Sequence, residues 1–345
     1  MKKVLIGMSG GVDSSVAAFL LKKQGYEVLG ATMILYDEEK IDGGCLSFQA
    51  VNDAKKVCDK LGIKHITINL KKEFKKHVID NFINSYLNGT TPNPCVECNK
   101  YLKFGALFEK AKELGCDFIA TGHYAKVKRG KLMLSRAGKK DQSYFLYGIK
   151  KSVLPFVIFP LAKYKSKDKI REIAFKNNLV VAKKKDSQEI CFIPDNDYKK
   201  YIKKNTKVNE NKGKFIDLNG NVLGNHDGII NYTIGQRKGL GISFSKPLYV
   251  IDIDVKNNNV ILGEVKDLYK KELVCSNLNL LVKKLPKKIT AKIRYGAKAS
   301  KATTTILENG DIKVVFDKPQ RAITKGQSIV FYKNKTVLGG GIIIK

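Results

Sequence analysis

The sequence predicts an α/β N-terminal domain with a parallel sheet, followed by two small β-rich domains, the last a β-barrel. Three observations predict it. Up to about residue 177, short apolar runs alternate with amphipathic stretches of helical length, the signature of βαβ units with right-handed crossovers. After about residue 205 the segments become short and rich in β-branched and aromatic residues, with Asn-Gly turns at Asn219-Gly220 and Asn309-Gly310. The length, 345 residues, suits two or three domains at about 150 residues each. The expected division is 1–205, 206–275 and 276–345, with the lysine-rich stretch Lys199 to Lys214 as the first junction.

The elements follow in order. Residues 2 to 8 form a first strand that ends in a Gly-rich turn. Residues 14 to 24 read as a helix capped by Asp13 or Ser14. Strands are expected at Glu27 to Leu35, His65 to Leu70 and Asp117 to Thr121. Helices are expected at Ser47 to Leu61, Lys71 to Leu87, Asn99 to Leu114 and 166 to 177. Val127 to Ser135 reads as a hairpin turned at Arg129-Gly130. In the second half, Gly213 to Leu223, Pro247 to Ile253, Asn259 to Leu262, Ile289 to Tyr295, Ala302 to Leu307, Ile312 to Phe316 and Ser328 to Tyr332 read as strands.

Composition excludes several classes. The hydrophobic fraction of 43% is that of a globular chain. The longest apolar stretch, Val153 to Ala162, is about half a membrane span and contains Pro155 and Pro160, so no transmembrane helix is expected. The apolar start ends after about five residues in Gly-Gly-Val-Asp, unlike a signal peptide. Seven cysteines at irregular spacing point to a reducing cytosol rather than a disulfide framework. The net charge is +32, and of its 64 cations only Arg129, Arg136, Arg171, Arg237, Arg294 and Arg321 are arginines. Lysine excess of this kind reads equally as compositional bias or as a surface for a polyanion.

Two constellations carry chemistry. The string Gly7-Met8-Ser9-Gly10-Gly11-Val12-Asp13-Ser14-Ser15 joins the first strand to the first helix. Adjacent glycines let backbone approach an oxyanion, and a helix N-terminus offers N–H groups and positive dipole to phosphate. The string lacks both the Gly-Lys-Ser/Thr of a Walker loop and the GxGxxG pattern. It resembles the pyrophosphate loop of the N-type ATP pyrophosphatases, which cleave ATP to AMP and pyrophosphate while adenylating a substrate oxygen. The second constellation is Cys95 and Cys98 in Pro92-Asn93-Pro94-Cys95-Val96-Glu97-Cys98-Asn99, with Cys191 in Asp186-Ser187-Gln188-Glu189-Ile190-Cys191-Phe192. A helix starting at Asn99 would lower the Cys98 thiol pKa. No second CxxC or His pair is spaced for zinc, so no metal site is expected. Cys58, Cys116 and Cys275 read as packing cysteines, and Cys45 stays undecided.

These motifs occur in order with Ala120 to Ala125, Lys140 to Leu146, Tyr232 to Gly239, Arg294-Tyr295 and Arg321 to Gln327. Together they resemble the tRNA-specific 2-thiouridylases over nearly the whole chain. The resemblance implies a PP-loop domain of the adenine nucleotide alpha hydrolase-like fold. It implies ATP, with Mg2+, at Gly7, Met8, Ser9, Gly10, Gly11, Val12, Asp13, Ser14, Met33 and Gly122. It implies Cys98 as nucleophile and Cys191 as persulfide carrier. Contacts to tRNA map onto Asn93, Pro94 and Cys95 at the flipped base, then His123, Lys140, Asp141, Gln142, Arg294, Tyr295 and Gln327. Out of that context His123 reads as a structural histidine. The implied partners are tRNAs for Lys, Glu and Gln, thiolated at the wobble uridine, and a cysteine desulfurase or sulfur-relay protein as donor. The implied location is the cytoplasm.

One departure stands out. Many members of the family carry Asp where this chain has Cys95, and that Asp serves proton transfer. The role passes here to Glu97 or Asp186, or else Cys95, Cys98 and Cys191 ligate a [4Fe–4S] cluster. The competing readings are another PP-loop ligase acting on a small molecule, a different PP-loop tRNA-modifying enzyme, and a non-catalytic RNA-binding or sulfur-carrier protein.

Overall fold

The computed structural model describes residues 1–36, 48–184, 190–193, 197–206 and 211–345. Cys45, Asp186 and the DSQE part of the Cys191 motif therefore lie outside the described residues. The chain divides into two units. The first is Met1–Ile79, Pro94–Asn196 and Lys335–Leu338; the second is Asp80–Asn93, Asp197–Asn334 and Gly339–Lys345. This grouping differs from a cut after residue 205. It assigns the helix Tyr198–Asn205 to the second unit, together with Asp80–Asn93, where Tyr86 stacks on Tyr198 at 4.5 Å.

The first unit is built on a five-stranded parallel sheet. Its strands are β1 (Lys3–Gly7), β2 (Glu27–Ile34), β3 (Lys64–Asn69), β4 (Phe118–Ala120) and a later two-residue strand, Val157–Ile158, in the order β3-β2-β1-β4-(157–158). Val4, Leu5 and Ile6 are all fully buried, as a central strand covered on both faces requires. The helix α1 (Val12–Lys23) follows β1 and buries Val16, Ala17 and Leu21 in the same core. It begins at Val12, earlier than expected, with Gly11 as the N-cap residue; Asp13 and Ser14 lie inside the first turn. The hairpin Lys126–Lys128/Lys131–Met133 turns where expected, with Arg129 and Gly130 both at positive φ.

Two of the expected helices are not simple α-helices. Lys71 to Leu87 runs as Lys71–Phe74, a π-helical stretch Lys75–Ile79, and Asp80–Leu87. The helix expected from Asn99 starts at Pro94 instead, as α2 (Pro94–Glu97), and continues through π-helix Cys98–Ala106 into Leu107–Glu113. Proline suits a first helical position because its missing N–H would have no partner there. The two π-helical stretches meet where His77 stacks on Tyr101, with ring centroids 4.1 Å apart.

The second unit is β-rich. A four-stranded sheet contains β5 (Gly213–Ile216), β6 (Val222–His226), β7 (Tyr249–Asp254) and β8 (Asn259–Gly263) in the order β7-β8-β5-β6. Phe215, Tyr232, Val250, Val260 and Leu262 form its core. The six strands β9 (Tyr269–Leu280), β10 (Lys288–Lys292), β11 (Ser300–Ile306), β12 (Ile312–Arg321), β13 (Ser328–Lys333) and β14 (Thr336–Ile343) run in the order β9-β12-β11-β10-β13-β14, and β9 pairs back with β14 to close a barrel. The sequence pattern misses β9 and β14. The first opens in the exposed run Tyr269 to Glu272, and the second contains three glycines. Close approach of backbone requires them: a Cβ at Gly341 would stand 2.6 Å from the Ser276 carbonyl oxygen.

Candidate active site

In the first unit a cavity of about 190 Å³ opens at the ends of β1, β2 and β4. Gly7, Met8, Ser9, Asp13, Ser14, Met33 and Gly122 line it, together with Ala31, Lys103, Leu107, Thr121, His123 and Gln142. The loop after β1, Met33 near the end of β2 and Gly122 just after β4 thus converge, as parallel strands with right-handed crossovers dictate. Gly10, Gly11 and Val12 do not line the cavity. Val12 is buried in the core, and Gly10, at φ +64°, is held against the backbone of Ala50, where any Cβ would collide. Gly122 has a comparable restriction: its Cβ would stand 2.8 Å from the Asp13 carbonyl carbon and the Ser14 nitrogen.

The loop is locked from within. Ser14 Oγ donates to Gly11 O at 3.1 Å and accepts from Ser9 N–H at 3.2 Å, and Ser15 Oγ donates to Gly11 O at 2.8 Å. The hydroxyl protons of Ser14 and Ser15 are thereby committed. The backbone N–H groups of the first turn remain the donors that an anion meets. Asp13 is committed as well. Its carboxylate accepts from Lys167 Nζ at 2.6 Å and from Tyr124 Oη at 2.7 Å. Lys184 Nζ bonds Gly10 O at 3.1 Å and Asp53 Oδ2 at 2.8 Å. Tyr124, Lys167 and Lys184 lie outside the expected site residues. No motif marks Lys167 or Lys184 in a chain this rich in lysine, whereas Tyr124 sits inside the quoted Ala120 to Ala125 segment.

His123 and Gln142, expected as tRNA contacts, line the same cavity. His123 Nδ1 is 2.7 Å from Thr121 Oγ1, and its ring packs against Phe104 and Phe159. Burial, reinforced by the Lys103 ammonium, holds its pKa well below the usual histidine value, so the ring is neutral. Gln142 Oε1 accepts from Tyr124 N–H at 2.8 Å, and the Gln142 backbone N–H donates to Tyr124 O at 2.7 Å. Asp141 caps its own turn, accepting from Ser135 N–H, Ser143 N–H and Ser143 Oγ. Lys140 is exposed to solvent.

Cys98 is half-buried, in the second turn of the Pro94 helix and not at its N-terminus. The free N–H groups of that helix belong to the turn before it, so the helix end is not what would activate this thiol. The next residue, Asn99, is buried and ties this stretch to Phe145 O at 3.1 Å. Burial raises the Glu97 carboxyl pKa, partly offset by Lys100. Cys191 is half-buried. Its neighbour Phe192 packs edge-on against Phe74 at 5.8 Å, and the helix of Phe74 lies against the Cys98–Ala106 stretch. Cys95 is exposed. Among the described residues no group of three or more His, Cys, Asp or Glu could hold a metal ion. Burial pushes the Cys58 and Cys275 thiols up to about 12, the inert state of packing cysteines, and Cys116 shifts the same way.

In the second unit two of the expected tRNA residues, Arg294 and Gln327, hold backbone. Arg294 donates to Arg321 O at 2.9 Å, next to Ala322 at φ +54°. Lys292 Nζ lies 5.6 Å from the centre of the Tyr295 ring. Gln327 Nε2 donates to Thr91 O at 3.1 Å and Pro92 O at 3.0 Å, fixing the backbone just before Asn93.

Among the described residues no helix is long and apolar enough to cross a membrane. Three family models match in succession: a tRNA methyl transferase HUP domain over residues 2–195, a tRNA methyl transferase PRC-barrel domain over 199–264, and an aminomethyltransferase beta-barrel domain over 270–343. Full-length relatives are the tRNA-specific 2-thiouridylases of Clostridioides difficile strain 630, 51% identical over 100% of this chain and 98% of its own, and of Clostridium botulinum strain Alaska E43, 54% identical over 99% and 98%. A tRNA-specific 2-thiouridylase of Caldanaerobacter subterraneus is 53% identical over 99% of this chain and 97% of its own.

Proposed function

The chain belongs to the tRNA-specific 2-thiouridylase family, and from that membership we propose how its residues carry out ATP-dependent 2-thiolation of tRNA uridine. The observation that carries the reading is the full-length match, joined to a cavity in which the pyrophosphate loop, Met33 and Gly122 converge. We infer three domains, 1–205, 206–275 and 276–345; three successive family matches, over 2–195, 199–264 and 270–343, support a three-part division.

ATP lies in the cavity with its adenine toward Met33 and its phosphates at the start of α1. The C2 oxygen of uridine is a poor leaving group. It attacks the α-phosphorus, the O2–P bond forms, the bond to the β-phosphate oxygen breaks, and pyrophosphate leaves. Asp13 is the one carboxylate among the described lining residues, and both its oxygens are engaged. That donor set suits Mg2+ held chiefly by phosphate oxygens and water. Neutral His123 and Gln142 offer hydrogen bonds to an uncharged base without placing a charge beside it.

Sulfur arrives as a persulfide on Cys191 from a cysteine desulfurase or a relay protein. Either Cys98 attacks the inner sulfur and frees sulfide, which adds to C2, or the outer sulfur adds first and Cys98 then resolves the adduct. In both orders AMP leaves C2, a Cys98–Cys191 disulfide forms, and an external thiol reduces it. Glu97, with its raised pKa, takes the proton-transfer role at the position-95 departure. Asn93, Pro94 and Cys95 face the flipped base, and Lys140, Arg294 and Tyr295 meet the tRNA backbone in the cytoplasm. The substrates are the wobble uridines of tRNAs for Lys, Glu and Gln.

The test is incubation with unmodified tRNA, ATP and a labelled sulfur donor, read by nucleoside mass spectrometry. Wild type is expected to form 2-thiouridine, and Cys98→Ser and Cys191→Ser none, with tRNA binding retained. Normal thiouridine in either variant overturns the assignment.

A further inference from the structure

We propose that Lys103 is a further catalytic residue, whose ammonium binds the α-phosphate of ATP through adenylation and through the departure of AMP. The proposal rests on the reading in which the cavity holds ATP.

Three lysines near the loop are used differently. Lys167 is ion-paired with Asp13 at 2.6 Å, and Lys184 with Asp53 at 2.8 Å. Both cations are neutralised by carboxylates of this chain, so they shape the loop and bring little net charge to a ligand. Lys103 differs. It is half-buried and is the only lysine or arginine among the described residues lining the cavity. Among the described residues its ammonium makes no hydrogen bond or ion pair. A lysine on the cavity wall with no acid paired to it keeps its charge available to an anion that enters. The cavity is also where the phosphates of ATP must lie, next to the first turn of α1.

The second observation is its place on the chain. Lys103 and Cys98 share the π-helical stretch Cys98–Ala106. In a π-helix the backbone bonds run from i to i+5, so Lys103 stands about one turn beyond Cys98. The same irregular turn thus presents the nucleophilic thiol and the cavity cation. That is the relation the reaction demands, since the α-phosphate is bonded to the oxygen that leaves the carbon where sulfur arrives. A third observation agrees: Lys103 acts electrostatically on His123, one of the cavity walls, and helps keep that ring neutral.

In the first step charge grows on the oxygens around the α-phosphorus as the uridine O2–P bond forms and the bond to pyrophosphate breaks. In the second, the C2–O bond breaks and its electron pair leaves on AMP. A fixed ammonium at the α-phosphate stabilises both without gaining or losing a proton. No oxidant or reductant enters either step.

The experiment measures tRNA-dependent pyrophosphate release in a single turnover, without sulfur donor, for wild type, Lys103→Gln and Lys103→Arg. ATP affinity is measured on the same preparations. Removing one such donor costs about 10²- to 10³-fold in rate. Lys103→Gln is therefore expected to lose roughly 100-fold or more in release, with ATP affinity within about threefold of wild type, and Lys103→Arg to recover part of the rate. Wild-type release in Lys103→Gln overturns the proposal. Equal loss of ATP binding and of release in both variants also overturns it, because it marks Lys103 as a structural support. If wild type itself releases no pyrophosphate with tRNA, the reading of the cavity fails, and this proposal fails with it.

Discussion

The two units use polar side chains in opposite ways. In the first, Ser9, Asp13, Thr121, His123 and Gln142 come from separate strands and loops and converge on one cavity. In the second, Arg294 and Gln327 are committed to their own unit's backbone, at Arg321 and at Thr91 and Pro92. A parallel sheet brings its strand ends to one edge, so side chains distant in sequence meet there. A closed barrel buries alternate residues and leaves the others facing outward singly, so its polar groups stabilise turns and present surface. In the first unit polar groups gather around one cavity, and in the second Arg294 and Gln327 hold backbone in place.

Substitutions at matching positions sharpen that contrast. The largest effect is expected at Gly122, where an added Cβ presses on the Asp13 and Ser14 backbone at 2.8 Å. Overpacking of this kind costs about 1–3 kcal/mol, and here it is borne by the phosphate loop. Gly122→Ala should weaken ATP binding by roughly tenfold or more in calorimetric titration without tRNA. Unchanged affinity would mean the loop yields freely. A smaller effect is expected at Gln327, whose loss removes two bonds to backbone carbonyls. Gln327→Ala should lower stability by about 1–2 kcal/mol in urea unfolding and leave ATP affinity as it was. Loss of ATP affinity in that variant would break the division of labour between the units.

The smallest effect is shared by both units. Burial lowers the pKa of all four histidines, His65, His77, His123 and His226. In His226 the neutral tautomer is fixed from both sides: Nδ1 accepts from Gly228 N–H at 3.0 Å and Nε2–H faces Asn258 O at 3.2 Å. The unfolded chain takes up protons near pH 6.5, where the folded chain does not. The stability these rings contribute is complete above that value and is lost as pH falls below it. Thermal melts should therefore show a lower midpoint at pH 5.5 than at pH 7.5. Equal midpoints would show that the rings accept protons in place.

Much of this arrangement is legible in the order of residues. The alternation of strands and helices places β1 to β4 within a residue or two, and the SGGVDSS string marks the loop. The second half reads as β except at most of β6 and at β9 and β14; in the last two, lysines and glycines obscure alternation and only cross-strand contact explains them. Packing roles for Cys58 and Cys275 follow from their surroundings, and burial bears them out. The start of the Cys98 helix is misplaced by the linear pattern, because Pro94 reads as a loop residue until tertiary packing shows it opening a helix.

Family, element order and the thiols proposed to react are carried by the linear sequence. Each rests on local patterns or on residue identity, which need no knowledge of distant neighbours. Which of 58 lysines matter to the cavity is a property of the folded chain alone. A lysine bound to Asp13, one bound to Asp53 and one left facing the cavity look alike in sequence. Charge pairing is set by distances between elements far apart along the chain, and Lys167 lies 154 residues from its partner Asp13.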